Sequence, residues 1–161
     1  GQRNTLTMHS PLRDHHETAT AAYEADYALW LQDTRNKLAQ GDFAAIDVTH
    51  LLEEIDDLSR REKRKVKQLL RQLLVHLLKL EYWTDEAPRN GNHWRAEITS
   101  FRKQIRDELD DSPSLRPYLN DLYEICYADA RDIAAARSQL PLSAFPERPA
   151  VTLDHVLNES G

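Results

Sequence analysis

The stretch Val66-Lys67-Gln68-Leu69-Leu70-Arg71-Gln72-Leu73-Leu74-Val75-His76-Leu77-Leu78-Lys79-Leu80 decides the fold. In its first half Val66, Leu69, Leu70 and Leu73 recur at the spacing of one helical face. In its second half Leu73, Leu74, Val75, Leu77, Leu78 and Leu80 leave almost no polar arc. A helix that is apolar nearly all round must be covered nearly all round. The segment is therefore expected to be a central helix, or to be covered in part by a second copy of the chain.

Upstream, Ser59-Arg60-Arg61-Glu62 has the form of a capping box, with serine at the cap and glutamate three residues on. It divides the region into a helix over 48–58, capped by Asp47, and another over 60–83, capped by Ser59, with one bent helix as the alternative. In the first of these, Val48, Leu51, Leu52, Ile55 and Leu58 make the stripe expected to face inward. A helix from about Thr20 to Gln40 carries Tyr23, Tyr27, Trp30, Leu31 and Leu38, with Gly41 as its C-terminal cap.

Downstream, Pro88, Asn90 and Gly91 are expected to form a loop, and Asn92 to cap a helix with Trp94, Ile98, Phe101, Ile105 and Leu109 inward. A further helix from about Ser114 to Ser138 places Leu119, Leu122, Ile125, Cys126 and Ile133 inward. The tail is spaced by Pro141, Pro146 and Pro149, and its Leu142, Phe145, Val151 and Leu157 suit docking. No segment alternates with period two, and only four glycines occur in 161 residues, which disfavours a sheet built on tight turns. The expected fold is all-α: a single helical bundle of about five helices over 19–161, with an extended C-terminal tail (140–161) laid across it. A flexible leader spans 1–18.

Several residue runs resemble a bacterial family, abundant in cyanobacteria, catalogued as domain of unknown function 29. They are Tyr23-Glu24-Ala25-Asp26-Tyr27-Ala28-Leu29-Trp30, Leu51-Leu52-Glu53-Glu54-Ile55 and His76-Leu77-Leu78-Lys79. Trp94-Arg95, Ser112-Pro113-Ser114-Leu115-Arg116-Pro117-Tyr118-Leu119 and Leu140-Pro141-Leu142-Ser143-Ala144-Phe145-Pro146 follow in order. The resemblance runs from about Tyr23 to Leu157. It implies an all-helical fold and carries no activity or site residue.

The candidate chemistry is sparse. Paired Glu-x-x-His motifs of a di-iron bundle are absent, and one cysteine excludes a cysteine-rich zinc site. His50, Glu54 and Asp57 share one helical face, and His76 would join them if two helices packed antiparallel, giving nitrogen and oxygen ligands for a borderline metal. A solvated acidic face is the plainer reading. His76 with Glu54 would make an acid–base pair, against a histidine satisfied at a core boundary with Lys79 snorkelling to solvent. Arg60, Arg64, Lys67 and Arg71 form a stripe suited to phosphates. The acidic helix before it offers charge compensation instead, and no aromatic residue interleaves the cations. Tyr82-Trp83 and His93-Trp94-Arg95 are expected to plug a bundle end, with a pocket as the alternative.

There is no glycine-rich phosphate loop, no G-x-S-x-G and no H-E-x-x-H, and Cys126 lies on a predicted core face, where a thiol is a poor nucleophile. No cofactor is expected. The net charge of −6 disfavours nucleic acid, and no apolar run approaches the length that spans a bilayer. A lone cysteine needs no oxidising compartment, which points to the cytoplasm. These features favour a non-enzymatic, self-associating helical interaction module, with itself or another protein as partner. The alternatives are a His/carboxylate enzyme and a nucleic-acid-associated protein.

Overall fold

The computed structural model describes residues 23–158, and all regular structure among them is helical. Four long helices carry it: α1 (Tyr27–Gln40), α2 (Val48–Tyr82), α3 (Ala87–Asp111) and α4 (Leu115–Ser138). A short α5 (Leu153–Asn158) ends it, and 3-10 turns lie at Phe43–Ala45 and Leu142–Ala144. The fold is an all-α helical bundle. The expected leader 1–18 and the expected helix start at Thr20 lie outside the described residues. The chain divides into two compact units, one ending at Arg60 and the other starting at Arg61.

In the N-terminal unit, residues 23–25 are helical, and Asp26 interrupts them with an extended backbone at φ −152°. Asp26 then caps α1 by accepting a hydrogen bond from Leu29 N at 3.0 Å. Gly41 closes α1 as expected. It sits at φ +74°, where a glycine lacks the Cβ that a left-handed backbone would crowd. Asp47 precedes α2, and its carboxylate accepts the His50 N–H at 3.2 Å.

Ser59 does not start a new helix, because α2 runs unbroken for 35 residues. No glycine or proline falls between Asp47 and Ala87, so nothing opposes propagation through Ser59. The inward stripe expected in residues 48–58 also fails. Val48, Leu52, Ile55 and Leu58 are each 51–57% exposed, while Asp47 and Glu54 are buried. On α1 only Trp30 and Thr34 are buried, and Leu31 and Leu38 face solvent.

The C-terminal unit is built around the leucine-rich part of α2. Leu70 and Leu73 are fully buried, and Leu69, Leu74, Val75 and Leu78 nearly so. Ile98, Phe101 and Ile105 of α3 join the same core, with Leu119, Cys126, Ala130 and Ala134 of α4. The apolar circumference is thus covered within one chain.

Three expectations for this unit need correction. Pro88 and Gly91 do not form a loop, because α3 begins at Ala87 with the proline in its first turn, where a missing N–H costs nothing. Gly91 instead lies buried in α3, where a Cβ would stand 3.7 Å from Leu80 Cδ1. Ile125 is 55% exposed, and Tyr123 and Tyr127 take the inward positions of α4. Lys79 does not snorkel: it is buried, with its ammonium 5.1 Å from the centre of the Trp94 ring, which stacks on Trp83 at 5.6 Å.

The tail is fastened to α3 and α4 by side-chain donors. Arg102 Nε donates to Val156 O (2.8 Å), Tyr123 to Val151 O (2.7 Å), Tyr127 to Pro146 O (2.6 Å) and Arg131 Nε to Phe145 O (3.1 Å). Pro141, Pro146 and Pro149 each remove a backbone donor and keep the segment from regular helical pairing, so its buried carbonyls take partners from elsewhere. Phe145, Leu153, Val156 and Leu157 of the tail enter the core.

Candidate functional site

The polar residues of the N-terminal unit converge on aromatic rings. Tyr27 donates to Glu54 Oε1, and Tyr23 donates to Glu54 Oε2 at 3.3 Å. The Tyr23 ring stacks on His50 with centroids 3.9 Å apart and meets Trp30 edge-on at 4.8 Å. His50 Nδ1 lies 2.5 Å from Asp47 Oδ2. One carboxylate, Asp47, therefore caps α2 and orients a histidine.

That hydrogen bond, more than the neighbouring acids, holds the His50 ring above its ordinary pKa despite the opposing effect of burial. A raised value keeps the imidazole protonated towards neutral pH, the state that donates a proton rather than takes one. The arrangement works as a clasp joining α1 to the start of α2. The buried Trp30 Nε1 finds no acceptor among the described residues.

The remaining candidates are dispersed. Asp57 pairs with Arg60 at 2.5 Å, one turn along the same helix. His76, in the other unit, has Nδ1 2.8 Å from the Gln72 carbonyl and sits edge-on to Phe101 at 5.2 Å. Burial holds its pKa below the ordinary value. Among the described residues, no three His, Cys, Asp or Glu side chains come together to hold a metal ion.

Two of the four stripe residues are paired, Arg60 with Asp57 and Arg71 with Asp129, and two cations beside the stripe are engaged as well. Arg71 pairs with Asp129 at 3.2 Å, Lys65 pairs with Glu108 at 3.1 Å, and Lys63 lies over the Tyr118 ring at 5.5 Å. Arg64 is exposed and Lys67 half-buried. Acids on α3 and α4 supply this compensation. The acidic stretch before the stripe lies end to end with it on one helix, and Asp57 pairs with Arg60 at the junction. Burial raises the pKa of the Cys126 thiol, as its core position implies.

Two features escaped the sequence reading. The first is the solvent-facing stripe Val48, Leu52, Ile55 and Leu58. The second is a cavity of about 260 Å³ in the C-terminal unit, walled by Leu74, Leu78, Tyr82, Tyr123, Tyr127 and the tail residues Pro149 to Val151. Glu81, Arg102 and His155 supply its polar lining. Burial pushes the Tyr123 hydroxyl up to about 12, and that hydroxyl is committed to the tail. The available signal was Tyr123 and Tyr127, one turn apart, ahead of a segment that Pro141, Pro146 and Pro149 keep from regular backbone pairing.

No described helix is long and apolar enough to cross a membrane. No curated protein and no solved structure matches the chain. The model of the family described as Domain of unknown function DUF29 matches residues 22–160, and the chain belongs to that family.

Proposed function

We propose that this chain is a non-enzymatic interaction module whose N-terminal unit receives a basic amphipathic helix from a partner protein. The carrying observation is the stripe Val48, Leu52, Ile55 and Leu58, at i, i+4, i+7 and i+10 on α2 and more than half exposed. A contiguous apolar face of this kind on a folded unit marks a docking surface. Helical spacing of the anchors suits a helix laid alongside.

Charge selects the partner. Residues 23–60 hold nine acidic side chains against three basic ones, and Glu53 and Asp56 beside the stripe are exposed. Such a surface attracts a basic helix and repels a second copy of itself, a phosphate backbone or an anionic membrane. The leucines that suggested self-association are covered within the chain, which removes that motive. The buried thiol of Cys126 suits the reducing cytoplasm, where we place the module.

The test is fluorescence anisotropy of the full chain with labelled synthetic helical peptides. A peptide with leucines at i, i+4 and i+7 and lysine flanks is expected to bind. A peptide with the same charge and serines for leucines, and one with glutamate flanks, are expected to bind at least about tenfold more weakly, the worth of about 1.4 kcal/mol. Leu52→Lys with Ile55→Lys, both at exposed positions, is expected to abolish binding with the helical circular dichroism unchanged. Equal binding of all three peptides, indifference to the double substitution, or a dimer in sedimentation that the double substitution dissociates would each overturn the reading.

A further inference from the structure

We infer that the cavity beneath the C-terminal tail is a binding site for a small, uncharged aromatic molecule carrying one N–H or O–H donor. This site lies wholly within the C-terminal unit and is independent of the apolar stripe on α2.

Size comes first. An apolar cavity of about 150 Å³ accommodates one benzene ring. The cavity here is about 260 Å³, which suits a fused bicyclic ring of the size of indole. Its walls come from α2, α3, α4 and the tail, so the space exists only once the tail is docked.

The chemistry of the wall selects the ligand. Three tyrosines line it, Tyr82, Tyr123 and Tyr127, with Leu74, Leu78 and Val156 among the aliphatic surfaces. The hydroxyls of Tyr123 and Tyr127 donate to the tail carbonyls Val151 O and Pro146 O. Their aromatic rings, rather than their donors, are what they offer a guest. Ring faces and edges favour an aromatic guest over a saturated one of equal size, because offset and edge-on ring pairs add to simple burial.

Charge decides the rest. Glu81, Arg102 and His155 are all in the lining, and Arg102 Nε is bound to Val156 O. Opposite charges in one wall give no net attraction for an ion, and an ion entering apolar walls loses its hydration. A neutral guest avoids that loss. The Glu81 carboxylate is an acceptor at the cavity, and it suits a guest with a single donor.

The experiment is a titration of the full chain with indole, 1-methylindole, cyclooctanol (saturated, with as many heavy atoms as indole) and indole-3-acetate. It is followed by amide chemical shifts and by the thermal midpoint. Indole is expected to bind saturably, raise the midpoint and shift amides of residues 146–156 and of Tyr123 and Tyr127. Cyclooctanol and the carboxylate are expected to bind at least about tenfold more weakly, and 1-methylindole to lose the same factor with its donor, as for one hydrogen bond to a charged group. Glu81→Met is expected to weaken indole and leave 1-methylindole unchanged. Ala150→Trp, at an exposed position on the cavity rim, is expected to block indole with helical content intact. Indole binding no tighter than cyclooctanol, tighter binding of the carboxylate, or binding unaffected by both substitutions overturns the inference.

Discussion

The two halves of α2 follow the same helical rule and end in opposite environments. From Leu69 to Leu78 the apolar side chains are buried among α3, α4 and the tail. From Val48 to Leu58 they are spaced just as regularly, and four of them face water. The contrast teaches that periodicity reports a stripe, not its cover. In the N-terminal unit the covered side of α2 is polar, because Asp47, His50 and Glu54 find a cap and aromatic partners there. A buried carboxylate is tolerated where donors meet it, and Glu54 has two tyrosines.

Paired substitutions break or sharpen this contrast, the largest first. Leu73→Ala removes a fully buried side chain and is expected to cost about 2–5 kcal/mol in urea unfolding. Ile55→Ala on the same helix is expected to fall within about 0.5 kcal/mol of the native chain, as exposed positions do. Similar losses at both positions would show that the N-terminal stripe is covered after all.

Among the described residues, Gly41 and Gly91 give effects of opposite sign. Gly41→Ala forces a Cβ into a left-handed backbone at φ +74° with nothing nearby to repay it, and is expected to cost about 1–2 kcal/mol. Gly91→Ala sits in a helix interior. Its Cβ would meet the mobile end of Arg95 at 3.3 Å and Leu80 at an ordinary 3.7 Å. It is expected to gain up to about 1 kcal/mol from helix propensity. A loss at Gly91 in thermal unfolding would mean that α3 approaches Leu80 too closely for a methyl group.

The histidines give the smallest effects, again opposed. His50 is raised by its hydrogen bond to Asp47, so its contribution to stability is full below about pH 6.5 and is lost as pH rises through its folded value. His76 is lowered by burial first, with Lys79 and Arg137 adding to that effect. Its contribution is present above about pH 6.5 and is lost as pH falls through its folded value. Ring-proton titration by NMR is expected to place His50 above and His76 below the ordinary value. The reverse order would break the assignment of a clasp to one unit and a core boundary to the other.

Much of the C-terminal unit was legible from residue types. Val66, Leu70, Leu73, Ile98, Ile105, Leu119 and Cys126 are all buried where spacing put them. The caps Gly41 and Asp47 were equally local and equally readable. Ser59 misled because a capping box is only an option, and an uninterrupted helix keeps its backbone bonds without using it. Gly91 misled because a glycine marks close approach as readily as a turn.

What the chain determined by itself is the helical class, the caps Gly41 and Asp47 and the leucine-rich segment that must be covered, since each depends on neighbours a few residues apart. Tertiary structure alone decided which side of Val48–Leu58 meets water, which carbonyls Arg102, Tyr123 and Tyr127 reach, and that a cavity remains between them. The hydrogen bonds among them join residues up to 54 positions apart. Their partners are chosen by geometry and by the need to satisfy buried polar groups, and no local pattern encodes that choice.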